Sequence, residues 1–108
     1  MKSSSQPSRK VNNLNDLSRV VKKIGHVKLL GEFESLIILG SEAHKAVLKC
    51  ANGHITDREL GEIFDKLQKL QRAFVDECHQ SKITLSNWQT QLSAESLHEF
   101  FLRKHGNH

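Results

Sequence analysis

The chain has 108 residues, with 16 Lys and Arg against 12 Asp and Glu for a formal net charge of +4, and 37% hydrophobic residues. That length supports one small domain around one core. No stretch approaches the roughly 18–20 apolar residues of a membrane-spanning helix, and one Pro with six Gly excludes collagen-like and proline-rich classes.

Residues 1–12 contain four serines, Pro7 and three basic side chains with almost no apolar content. Such a segment cannot bury enough surface to offset its ordering entropy, so it is expected to be a disordered arm ahead of a single domain over 13–108. MKSSSQPSRK has no apolar run after its charges, so no secretory signal is read. Cys50 and Cys78 are too few for a disulfide framework, and a reduced, cytoplasmic setting is expected.

The first helix is predicted over 14–24. Asn13 or Asn15 serves as its cap, Leu14, Leu17, Val20, Val21 and Ile24 recur at helical spacing, and Gly25 ends or bends it. A second helix is predicted over 28–51. Its apolar residues, including Leu29, Phe33, Leu36, Ile37, Ile38 and Leu39, cover most of the circumference, which marks it as central. Gly40 inside it reads as the close approach of a neighbouring helix or a slight kink, and Asn52 with Gly53 ends it.

Thr56 followed by Glu59 forms a capping box for a third helix over 56–79, with Leu60, Ile63, Phe64, Leu67, Leu70, Phe74 and Cys78 as one apolar stripe. The last segment is predicted over 86–104, starting at Ser86 with Gln89 as a second capping box and bent or broken near Ser93. Beyond residue 104 the chain is expected to fray. No strand is predicted. The fold class is therefore all-α, an up-and-down bundle of four helical segments joined by short loops.

Charge is unevenly spread. Residues 1–30 carry seven basic side chains against one acid, net +6, whereas residues 31–108 carry nine against eleven, net −2. A basic patch of this kind neutralises phosphates and releases counterions without reading sequence. Arg9, Lys10, Arg19, Lys22, Lys23 and Lys28 are the candidate nucleic-acid contacts. Tyr is absent and the Phe residues are assigned to the core, so duplex DNA fits better than stacked single strands. The polar side of the first helix lacks aromatic anchors for a lipid surface.

The second helix carries more apolar surface than a bundle of this size covers, so Phe33, Ile37 and Ile38 are the candidate interface for another protein or a second copy. The resulting expectation is a non-enzymatic helical adaptor, a homodimer, that also contacts duplex DNA; the alternative makes DNA contact its main role.

LKCANGHITDRE (Leu48 to Glu59) resembles a calcium-binding EF-hand loop, with Gly53 and Glu59 at the sixth and twelfth positions. Leu48 and Cys50 stand where that family needs oxygen ligands, so the segment is read as a helix–turn–helix link. The end of the fourth helix is expected to return toward Cys50, which makes a zinc site from Cys50, His54, His105 and His108 geometrically conceivable, but none of these pairs has zinc-finger spacing. No metal, cofactor or small-molecule substrate is assigned. Cys78 and His79 are sequence neighbours on a helix and do not face each other, so no nucleophile is activated there. NNLNDLSR (Asn12 to Arg19) is similar to a short Asn-rich stretch in small plasmid mobilisation accessory proteins, which assist a relaxase at DNA. The likeness covers eight residues and implies a DNA role. The DNA-binding strand that this family carries at its N-terminus is not read in the sequence.

Overall fold

The computed structural model describes residues 9–105, which form β1 (Arg9–Val11), α1 (Leu14–Ile24), α2 (Val27–Ala51), α3 (Asp57–Gln80), β2 (Ile83–Leu85), α4 (Trp88–Gln91) and α5 (Ala94–His105). The fold is all-α, with one two-stranded sheet at its side. Local chemistry sets most boundaries. The Asn13 side chain accepts the Asp16 N–H at 2.9 Å to start α1. Gly25 closes that helix at φ 70°, its N–H donating to the Val21 carbonyl at 3.0 Å, and so supplies the left-handed turn into α2. Thr56 and Glu59 exchange both capping-box bonds, at 2.9 and 3.1 Å, to start α3.

α2 lies at the centre, with α3 packed on one side as an antiparallel partner and α5 on another. Phe33 of α2 stacks on Phe74 of α3 at 5.7 Å and meets Phe100 of α5 edge-on at 6.0 Å, so one ring ties three helices together. α1 seals this core with Leu14, Leu17 and Val21. Gly40 is a close approach, as its position in the sequence suggested. A Cβ there would lie 2.5 Å from the Leu97 Cβ, so α5 rests directly on the α2 backbone.

The break expected near Ser93 is present, since α4 ends at Gln91 and α5 begins at Ala94. Three expectations are corrected. First, residues 9–11 belong to the fold: β1 pairs parallel to β2, Arg9 opposite Ile83 and Val11 opposite Leu85, and Val11 is buried. A strand thus stands directly before the Asn-rich stretch. Residues 1–8 lie outside the described residues.

Second, the capping box at Ser86 and Gln89 does not form. Ser86 instead continues the strand pairing, its N–H donating to the Val11 carbonyl at 3.1 Å, and its hydroxyl lacks a partner among the described residues. Asn87 turns the chain at φ 50° into α4. The buried Gln91 side chain donates to the carbonyls of Val11 and Ser86 and clamps the end of the sheet.

Third, Phe33 and Ile37 are each only 1% exposed, so they are core and not a partner surface, while Ile38 stays 49% exposed. Helical phase explains the split. Positions 33 and 37 lie on the stripe beneath α5, and position 38 is rotated about 100° away.

Candidate nucleic-acid interface

α1 is an amphipathic helix whose buried face fixes the direction of the other. With Leu14, Leu17 and Val21 turned inward, Asn15, Arg19, Lys22 and Lys23 are exposed. Arg19 forms an ion pair with Asp16 one turn earlier. Lys10, exposed on β1, joins Arg19 and Lys23 around one shallow depression beside Val11, Asp16 and Val20. The docking of β1 through Val11 holds Lys10 there. Arg9 is the first residue of β1, opposite Ile83.

On its other flank α1 meets the end of α5. Lys22, Asn15 and Ser18 line a depression with Phe100, Arg103 and Lys104. Lys104 is held by Glu34 at 2.6 Å, whereas Arg103 is exposed and has no acidic partner among the described residues. Arg103 also borders a cleft with Asn12, Asn13, Asn15, Gln91 and Glu99. Arg103 thus stands beside the predicted cations, while Lys28, exposed in the first turn of α2, pairs with Glu77 of α3 at 3.4 Å. Cations in the last turn of a helix are ordinary complements of its dipole. Only the packing of α5 beside α1 gives Arg103 a second use.

The metal expectation is corrected in its geometry. α5 runs antiparallel to α2, placing Leu97 on Gly40, Phe100 on Phe33 and Lys104 on Glu34. Its C-terminus thus moves away from Cys50, and His105 lies against Phe101 at 4.6 Å. His54 is exposed in the turn after α2, and His108 lies outside the described residues. Among the described residues no group of three or more His, Cys, Asp or Glu is placed to hold a metal ion.

The thiols differ in setting. Cys50 is half-buried rather than core, and its thiol donates to Asp57 at 3.1 Å; that bond to a carboxylate raises its pKa. Cys78 is fully buried, and desolvation, with the charges of Glu32 and Glu77, pushes its thiol up to about 12. Neither is an activated nucleophile. Between α2 and α5, His98 hydrogen-bonds Ser41 at 2.8 Å and stacks on His44 at 4.7 Å. Burial first, then the neighbouring charges of His44 and Lys45, lower its pKa.

Among the described residues no helix is long and apolar enough to cross a membrane. Comparison with known proteins finds no matching family model, no matching curated protein and no matching solved structure.

Proposed function

We propose that the protein is a non-enzymatic cytoplasmic accessory protein that contacts duplex DNA through the face shared by β1, α1 and the end of α5. The observation that carries this reading is the convergence of Lys22 and Arg103 from two elements far apart in sequence, flanked by Lys10 and Lys23. Rigidly mounted cations of one sign attract a phosphate backbone, and the helical scaffold keeps their spacing fixed. The two unpaired thiols suit a reducing compartment.

Fluorescence anisotropy with a labelled duplex tests this. Lys22→Glu with Lys23→Glu, and separately Arg103→Glu, should weaken binding and lower the salt slope by about one for each phosphate no longer neutralised. Lys66→Glu on the exposed side of α3 should leave binding unchanged. Equal affinity across the set would reject the interface.

A second reading, self-association or protein contact, is favoured by a different surface. Val47 and Leu48, near the end of α2, are 42% and 58% exposed.

A further inference from the structure

α2 and α3 are long helices of 25 and 24 residues, about 36 Å each at 1.5 Å per residue, whereas the 12 residues of α5 span about 18 Å. α5 meets α2 from Phe33 to Lys45, whose ammonium lies over the Phe101 ring at 5.6 Å. The last turns of α2, to Ala51, and the first turns of α3 project beyond it as a short tip. Ser41 and His44 lie beneath His98 of α5. Leu48 is one turn beyond His44 on that side and has no helix over it. Across the hairpin, Leu60, Ile63 and Phe64 of α3 are only half-buried. Gly61 and Phe64 border an open groove that ends at Ser93 and Ala94, where α5 begins. The stripe that α5 covers thus continues uncovered along the tip.

The charges at this tip are separated by helix. α2 exposes Lys49 beyond Lys45, while the first two turns of α3 expose Asp57, Glu59 and Glu62 against Arg58; further along, Asp65 pairs with Lys69. We propose that the tip docks a second copy of this chain, the two hairpins packing antiparallel about a two-fold axis into a four-helix bundle. In a two-fold interface each contact occurs twice. The basic end of α2 then faces the acidic start of the partner's α3, and Leu48 and Phe64 of each copy enter the shared core. The opposite pairing, α2 on α2, would bring like charges together. This rests on the self-association reading above and not on DNA contact.

Sedimentation equilibrium of the full chain tests it. A mass of about 25 kDa, twice the 12.3 kDa of one chain, is expected at micromolar concentrations, the range of a modest interface. Leu48→Glu should weaken association more than about tenfold, as expected for a central apolar contact, with unchanged circular dichroism because the side chain is already exposed. Lys49→Glu and Glu62→Lys should each weaken it by about tenfold, the worth of two symmetry-related exposed ion pairs, and the two combined should restore it. A monomer at all concentrations would overturn the self-association reading and this surface with it. A dimer indifferent to Leu48→Glu and to the charge exchange would overturn this surface alone. The charge reversals on α1 should leave the dimer intact.

Discussion

Two glycines of the same helix should respond to alanine with opposite signs. In an exposed helix interior Gly→Ala is worth about 1 kcal/mol of stabilisation, because alanine loses less backbone entropy. At Gly31 nothing lies within 4 Å of the added Cβ, so Gly31→Ala should gain most of that amount. At Gly40 the new Cβ would sit 2.5 Å from the Leu97 Cβ. Both atoms are fixed to backbone, so no rotamer change relieves the clash and α5 must move off α2. Overpacking of this kind costs about 1–3 kcal/mol, and the absence of a side-chain escape puts it at the upper end. Subtracting the propensity gain leaves Gly40→Ala about 2 kcal/mol less stable than the parent and about 3 kcal/mol below Gly31→Ala. Urea unfolding followed at 222 nm measures both, with a common m-value confirming the same two-state transition. If Gly40→Ala were as stable as Gly31→Ala, the seating of α5 on the α2 backbone would be wrong.

Other consequences can be checked on the same protein. Val11→Ala removes two buried methyl groups at about 0.8 kcal/mol each and leaves a small cavity, a cost of about 2 kcal/mol in urea unfolding. It should also expose the Lys10–Val11 bond to trypsin, and resistance equal to that of the parent would mean that β1 is not held by this side chain. Alkylation of the native protein should modify Cys50 well before Cys78. Asp57→Ala should speed the first by removing the acceptor that raises its pKa, and no change would break the Cys50–Asp57 link. His98 is harder to protonate in the folded protein than in the unfolded chain, so its contribution is full above about 6.5 and is lost as pH falls below that value. His44→Gln should raise the His98 midpoint in a histidine-resolved NMR titration, and an unmoved midpoint would show that the stacked pair is not electrically linked.

The helices were legible because their signals are local. The Asn13 and Thr56 caps, the Gly25 stop and the apolar stripe of α3 each need only a few neighbouring residues to act. The close approach at Gly40 was legible for a related reason, since glycine inside a helix costs stability unless something needs the space. The strands were not. Each is three residues long, they pair across more than 70 residues of sequence, and β1 follows a Ser-rich polar segment that masks the one side chain, Val11, that docks it. The error at Ser86 has the same origin, because a serine can cap a helix or extend a strand and only the distant partner decides.

The basic face was half legible. Charge counting pointed to Lys10, Arg19, Lys22, Lys23 and Lys28, but it cannot show that Lys28 meets Glu77, a pairing that depends on how α3 folds back. Nor can it reach Arg103, which joins the face only because α5 ends beside α1. Phe33 and Ile37 show the converse limit. A helix apolar on most sides reveals how much surface must be covered, not which stripe its own chain covers.

The most direct test of the DNA reading is the dependence of duplex affinity on salt for the unmodified protein. Neutralisation of roughly four to five phosphates by Lys10, Arg19, Lys22, Lys23 and Arg103 predicts a slope of log K against log salt near about −4, at about −0.9 per phosphate. A slope near zero, or no measurable duplex binding at low salt, would contradict the account.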